Sequence, residues 1–447
     1  MSSPRIGIIG AGPAGLTLAR LLQINGIPCF IFDLEQDRYA RDQGGCLDLH
    51  EGAAQRALRE CGLYDQFLAV ARTEGEVLKI YEPNGTILLD EGSGYGERRP
   101  DSFNGRPEVD RQQLKDMLID SLAPGTLKYG HKLFAVKTSV GGTSQKYDLH
   151  FEHSVEIGFD LVVGADGAWS KVRHLLTDQR PVYSGINGVD AKLCSIDNVD
   201  LALSRRVGQG MCLTLGSNTT VLSQRNGDGC VRSYGFMRLP EDWQTTCGID
   251  WSSHETAKKE FIEKYYDGFN DDAKNLILLA DEMAPRPMYM LPLGHRWAHR
   301  QGLTLIGDAA HLMTPFAGVG VNVAMEDALS LGLKLKQWKR EVWDQSPEQG
   351  VSTIIQPTSA YEQEMFARAE AYGKETWMYL NLFFHEKGGR PMLEHFAKAK
   401  EQEREQAQKQ VEEQTKKLVK TEALTQEEEP CLTQVTLVES KEEAIAQ

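Results

Sequence analysis

The chain opens on a short apolar run, Arg5 to Ile9, followed at once by Gly10-Ala11-Gly12-Pro13-Ala14-Gly15. Leu16, Ala19 and Leu22 then recur at helical spacing, and Gly26 stands where such a helix can end. Pro13 suits the first turn of that helix, where a missing N–H costs nothing. Cys29 to Phe32 is a second apolar run, closing on Asp33. The pattern predicts strand, turn, helix, strand. Two later apolar runs, Asp160 to Gly164 and Leu303 to Gly307, read as buried strands, each ending in a Gly/Asp turn. That is the expectation at the carboxyl edge of a parallel sheet. Between them the texture changes. Met211–Leu215, Thr219–Ser223 and Val231–Met237 are short runs separated by Gly216-Ser-Asn218 and Asn226-Gly-Asp-Gly229, which predicts antiparallel hairpins. A parallel α/β domain interrupted by a β-meander implies a second domain inserted between pieces of the first.

Further on, Ala324, Ala328, Leu331 and Leu335 mark one helix, and another is expected from Pro357 into the 380s. Beyond about Phe396 the chain is rich in Glu, Gln and Lys with few apolar residues, which predicts a solvated helix or a disordered tail.

Composition narrows the function classes. At 447 residues there is room for two or three domains, and 41% hydrophobic with 25% charged residues is an ordinary globular balance. The net charge of −15, with no basic stripe, argues against nucleic acid as a partner. No apolar run approaches the roughly 20 residues that span a bilayer, and the N-terminus enters a glycine motif where a leader would stand, so the cytosol is the expected location. The eight cysteines include no C-x-x-C pair, so they are expected to be reduced thiols, with neither a zinc site nor a redox dithiol.

The candidate chemistry begins at Gly10-x-Gly12-x-x-Gly15. Such spacing lets the backbone turn tightly and approach a pyrophosphate, while the helix behind it offers N–H groups and positive dipole to the anion. Asp33, eighteen positions past Gly15, stands where a carboxylate accepts the ribose hydroxyls of an adenosine. This fingerprint alone does not separate NAD from FAD.

Two further motifs do so by resemblance. Gly164-Ala-Asp166-Gly-Ala-Trp-Ser170-Lys-Val-Arg173 and Gly307-Asp308-Ala-Ala-His311-Leu-Met-Thr-Pro315-Phe316-Ala-Gly318-Val-Gly320 resemble the internal signatures of class A flavoprotein monooxygenases, the para-hydroxybenzoate hydroxylase-like enzymes. Within that group the segments from Asp33 to His50 and from Gly307 to Asn322 resemble the tetracycline-inactivating flavin monooxygenases. The chain departs from them at Asp33-Leu34, where they have Glu-Arg, and at Gly318-Val-Gly320, where a Gln commonly separates the glycines.

The resemblance implies an α/β fold. A Rossmann-like FAD-binding domain would span 1–74, 105–183 and 300–345, with a largely antiparallel β-sheet substrate domain from 75–104 and 184–299. A C-terminal helix over 355–395 and a polar tail over 396–447 would complete it. It also implies roles. Gly10, Gly12, Ala14, Gly15 and Asp33 would hold the adenosine diphosphate end of FAD. Asp308 would bond the ribityl chain, and Gly318, Gly320, Val321 and Asn322 would lie along the flavin. Asp48, Arg111 and Asp166 would be further cofactor contacts, and Arg41 would meet NADPH. Phe316 falls where the family places an aromatic against substrate, and strand alternation puts Arg232, Tyr234, Phe236 and Arg238 on one face. Of these, Arg232 and Phe236 join Phe316 as candidate substrate contacts, although the sequence leaves open whether that face meets the pocket or solvent.

No residue is singled out as catalytic and no metal is implied, because the bond chemistry belongs to the flavin. For the same reason His311 is expected to pack or to hydrogen-bond, and Cys46 to be a packed side chain. The implied cycle is reduction by NADPH, addition of O2 at the flavin C4a as a hydroperoxide, and hydroxylation of a small aromatic or polyketide-like molecule, as in secondary metabolism. A monomer or weak oligomer is expected. Baeyer–Villiger or epoxidising chemistry, a dehydrogenase or oxidase, and a non-catalytic FAD-binding scaffold share these motifs.

Overall fold

The computed structural model describes residues 4–91, 105–139, 145–346, 354–402, 404–406 and 408–409. Ile6–Ile9 is buried at all four positions, as befits a strand covered on both faces. It pairs in parallel with Cys29–Phe32 on one side and Leu161–Gly164 on the other. Leu127–Lys128 and Leu303–Leu305 complete a five-stranded parallel sheet, with Leu303–Leu305 at one edge.

Between the first two strands runs the helix Pro13–Ile24, with Pro at its first turn. It is buried almost all round, and not only along Leu16, Ala19 and Leu22, because the helix Gly320–Trp338 packs against it. It ends at Asn25-Gly26. There Gly26 takes the left-handed φ of 66°, and the N–H groups of Gly26 and Ile27 donate to the last carbonyls, Gln23 and Leu22.

The second large element is a seven-stranded sheet in the order Glu282–Pro285, Ile186–Leu193, Val231–Arg238, Thr219–Arg225, Met211–Leu215, Leu78–Tyr81, Ile87–Asp90. The hairpins read from the sequence pair antiparallel, Met211–Leu215 with Thr219–Arg225 and that strand with Val231–Arg238. Helices His254–Tyr265 and Asp271–Leu278 cover it with a core of its own around Phe261, Tyr266 and Ile277. A long helix, Ile355–Phe383, packs against Gly320–Trp338. Met1–Gly389 is one compact unit and Arg390–Gln447 a second, helical over residues 390–402. Most of the polar tail lies outside the described residues.

One cysteine expectation fails. Cys194 and Cys230 are joined in a disulfide. Leu193 and Val231 are register partners at the end of their ladder, so the next residue outward on each strand is brought face to face. Among the described residues no helix is long and apolar enough to cross a membrane, and no His/Cys/Asp/Glu group could hold a metal ion.

Candidate functional site

The three glycines of the first motif do different work. A Cβ on Gly10, whose φ is 105°, would stand 2.3 Å from the Ala165 carbonyl oxygen, and one on Gly15 would stand 2.1 Å from the Gly10 oxygen. These two let helix and strands close on one another. A Cβ on Gly12 would meet nothing within 4 Å, so it faces open space in front of the helix. Leu16 is bonded back to the Gly12 carbonyl at 3.0 Å, leaving the preceding N–H groups of the first turn without helical partners. Beside them the Asp33 carboxylate accepts the N–H of Ala11 at 2.5 Å and that of Glu35 at 2.8 Å. A carboxylate offers about four lone-pair sites, so it retains capacity for hydroxyl donors.

Past the carboxyl end of the edge strand Leu303–Leu305, Asp308 begins the short helix Asp308–His311, and after Glu108–Asp110 Arg111 begins the helix Arg111–Asp120. Both side chains are deeply surrounded by protein, yet both residues are solvent-exposed. A group that is deep and still touched by solvent lines a cleft. Desolvation raises the Asp308 carboxyl above its ordinary range against the pull of His311, Arg111 and Arg173, and it lowers the Arg111 guanidinium.

The turn Pro315–Gly318 leads into the helix Gly320–Trp338. Gly318 is left-handed at φ 68°, and a Cβ there would stand 3.5 Å from Asp48 Oδ1. Gly318 and Gly320 are exposed and Val321 is half-buried, whereas Asn322 is buried. The Asn322 side chain donates to the Asp48 carbonyl at 2.9 Å and accepts the His50 N–H at 2.7 Å, clamping strand Cys46–Asp48 to this turn. That strand pairs with Glu108–Asp110, which delivers Arg111. Residues from three distant stretches therefore meet on one wall. Arg41 lies on the adjoining loop, largely exposed, with its Nε on Glu35, whose other oxygen takes Lys115 Nζ at 2.5 Å.

Other motif residues face inward. Asp166 accepts from Ser170 Oγ at 2.5 Å and Lys171 N–H at 2.7 Å, so its carboxylate secures its own turn. Arg173 is fully buried and donates to the carbonyls of Ala309 and Ala168. His311 bonds Asp327 Oδ2 at 2.5 Å; Asp327 also accepts the Gly307 N–H at 3.0 Å and Arg368 Nη2 at 2.6 Å. The expected hydrogen-bonding role of His311 is what its surroundings contain. Cys46 likewise is a packed donor: burial pushes its thiol far up, and it gives its proton to Asp110 Oδ1 at 2.8 Å.

The face of Val231–Arg238 left open by the sequence turns toward this wall. A Cβ on Gly45 would stand 3.5 Å from Tyr234 Oη, and one on Gly44 would stand 3.5 Å from Arg232 Nη1. Arg232 itself is held by Asp42 and Asp190. Phe236 and Phe316 are nearly fully buried, with ring centroids 6.4 Å apart, and Phe316 also meets Phe383 and Phe384. Sequence reasoning missed Asp327, Arg368 and Asp42, since nothing in their local spacing marks them.

Open space before Gly12, the deep but open Asp308 and Arg111, and the exposed Gly318–Gly320 turn form a cradle that fits an extended dinucleotide with a flat ring system. A family model described as an FAD binding domain matches residues 4–346. The chain is 32% identical over 427 residues to monooxygenase penA of Penicillium thymicola, covering 86% of this chain and 96% of that one. Its fold is similar to that of HpxO from Klebsiella pneumoniae, crystallised with FAD and uric acid (TM-score 0.67, 18% identity, covering 89% and 92% of the two chains). It is also similar in fold to the tetracycline destructase Tet(51) (TM-score 0.63, 17% identity, covering 90% and 96%). The chain belongs to the FAD-binding-domain family and is an FAD-dependent monooxygenase.

Proposed function

We propose that the enzyme uses NADPH and O2 to hydroxylate a small aromatic or polyketide-like molecule, tetracycline-like polycycles among them. The observation that carries this reading is the Asp308–Arg111 wall, deep yet open, beside the exposed Gly318–Gly320 turn. Bound FAD supplies the redox and oxygen-activating chemistry. The chain's residues bind and orient around it. The Gly10–Gly15 turn, with the N–H groups of the first helical turn behind Gly12, would hold the pyrophosphate, Gly10 and Ala14 shaping the turn, and Asp33 would take the ribose hydroxyls. Asp308 would accept the ribityl hydroxyls, and Arg111 and Asp48 would be further contacts. The N-terminus of Gly320–Trp338, from Gly320 through Val321 and Asn322, would lend its positive dipole to the flavin and so favour negative charge on a reduced ring. On this reading the parallel sheet holds the cofactor and the seven-stranded sheet supplies the substrate wall. Arg41 would receive NADPH: among the described residues its side chain bonds Glu35 through Nε, which leaves its two terminal amino groups as donors.

Two substitutions separate these roles. Asp308→Ala removes an acceptor for cofactor hydroxyls and should weaken FAD binding about tenfold to a hundredfold. Arg41→Ala should keep FAD but raise the NADPH concentration needed for anaerobic flavin reduction, while dithionite reduction stays normal. Stopped-flow reduction, with flavin content measured first, reads both. An Arg41→Ala protein that sheds FAD and reduces normally with NADPH would refute that assignment.

A further inference from the structure

Asp42 follows Arg41 on the loop between Asp33 and Cys46, and it bonds the other large sheet. Its carboxylate meets the fork of Arg232 with both oxygens, Oδ1 taking Nη1 at 3.3 Å and Oδ2 taking Nη2 at 3.1 Å, and Lys192 Nζ stands 3.4 Å from Oδ2. Oδ1 also accepts the Gly44 N–H at 2.8 Å, which folds the loop onto the same carboxylate. Behind it, Arg232 turns its Nε to Asp190 at 3.0 Å, and the other Asp190 oxygen takes Arg286 at 2.8 Å. Lys192, Asp42, Arg232, Asp190 and Arg286 alternate in charge, and of the five only Asp42 comes from outside residues 186–286. Lys192 and Arg232 are register partners on neighbouring strands, and two residues further out the Cys194–Cys230 bond closes that end of their ladder. The two cations are therefore held side by side.

An exposed ion pair contributes little on its own. Here the Asp42 side chain is 41% exposed, but that of Arg232 is only 11% exposed, and a bidentate contact fixes direction as well as distance. Burial works to raise the Asp42 carboxyl, but the Gly44 N–H, Arg232 and Lys192 outweigh it and hold it below the ordinary range, so it is ionised at neutral pH. Among the described residues no other side chain from 34 to 45 bonds the seven-stranded sheet. We propose that Asp42 is a positioning residue for the reductive step: its grip on Arg232 and Lys192 pins the loop to the sheet and so presents Arg41 to the nicotinamide dinucleotide in one place. This rests on the reading of Arg41 given above. A loop set free must be ordered again whenever the dinucleotide binds, and that ordering subtracts from affinity. The direct charge effect has the opposite sign. Asp42 repels an anionic dinucleotide, and its removal also releases two cations, so electrostatics alone would make the variant bind more tightly.

The test titrates NADPH against the FAD-loaded enzyme in anaerobic stopped-flow reduction, with flavin content, melting temperature and dithionite reduction as controls. Asp42→Asn should raise the half-saturating NADPH concentration about tenfold at an unchanged limiting rate. Asp42→Glu keeps a carboxylate beside the two cations and should recover most of that loss. Lys192→Met should raise half-saturation in the wild-type background and add nothing once Asp42→Asn is present, as expected of a lysine that acts through the carboxylate. The proposal is overturned if Asp42→Asn leaves half-saturation unchanged or lowers it, or if that variant sheds FAD. It is overturned equally if Asp42→Glu is no better than Asp42→Asn, or if Lys192→Met and Asp42→Asn are additive. Arg41→Ala run in parallel separates two failures. Where it weakens NADPH and Asp42→Asn does not, the proposal alone fails; where it has no effect, the reading of Arg41 fails and takes the proposal with it.

Discussion

Gly12→Val is expected to strip the enzyme of FAD while leaving the apoprotein folded. A Cβ at Gly12 meets nothing of the protein within 4 Å, so the valine has room in the chain's own structure. The space it fills is the one in front of the free N–H groups of Pro13–Ile24, where the pyrophosphate must come against the backbone. Affinity should fall at least about a hundredfold, roughly 2.7 kcal/mol. Flavin absorbance after gel filtration and the melting temperature of the apoprotein read the two halves separately. Gly15→Ala provides the contrast, because its Cβ would lie 2.1 Å from the Gly10 oxygen and force helix and strand apart. That variant should lose stability as well as flavin. If Gly12→Val unfolds the apoprotein, or binds FAD as the wild type does, the division of labour among these glycines is wrong.

The second large effect belongs to Asp327. Fully buried, it joins the Gly307 N–H, His311 and Arg368, and thereby fixes the strand-to-helix turn that presents Asp308. Asp327→Ala leaves the Gly307 N–H and His311 without their acceptor and Arg368 with only the longer 3.7 Å contact to Glu326, a change that should cost about 3–5 kcal/mol by urea unfolding of the FAD-loaded enzyme. A loss below about 1 kcal/mol would mean that the network relaxes into other partners.

The same network shapes the response to pH. Burial works to lower the His311 pKa, but Asp327 outweighs it and holds the imidazole above its ordinary 6.5. Its stabilisation is therefore complete below 6.5 and is lost as pH rises through the folded value. Burial works to raise Asp327, but His311 and Arg368 outweigh it and hold the carboxyl below 3.8; its stabilisation is complete above 3.8 and is lost as pH falls through the folded value. The melting-temperature advantage of wild type over Asp327→Asn should be widest between 3.8 and 6.5 and narrow on both sides. A difference that is flat across this range would contradict the assignment.

What could be read from the sequence was what close approach dictates locally. A backbone that must turn and touch an anion calls for Gly10, Gly12 and Gly15 at fixed spacing, and a strand that alternates calls for Arg232, Tyr234 and Phe236 on one side. What could not be read was direction and distant pairing. The motif around Asp166 signals its presence, but only coordinates show the carboxylate folded back onto Ser170 and Lys171. His311 is marked by its motif, while Asp327 reaches it from a second helix and Arg368 reaches Asp327 from a third, with no signal in their spacing. The Cys194–Cys230 bond depends on strand register, which hydrophobic alternation does not supply across 36 residues. Tyr234 needed both kinds of information, since its face was legible and its outlook was not.

The parallel sheet is assembled from strands scattered over two thirds of the chain: Ile6–Ile9 pairs with Leu161–Gly164, and that strand with Leu303–Leu305. Each pairing closes a loop of well over a hundred residues before any contact rewards it, and topologies of this kind fold slowly. On the ribosome the glycine motif emerges some three hundred residues before Leu305 and Asp308, and the cradle it serves does not exist until those have been synthesised. The seven-stranded sheet needs nothing beyond Pro285 and can form while the cofactor half still waits for its edge strand. A nascent chain can therefore carry a folded seven-stranded sheet while the parallel sheet is still open, which makes flavin uptake a late, post-assembly event in the life of the enzyme.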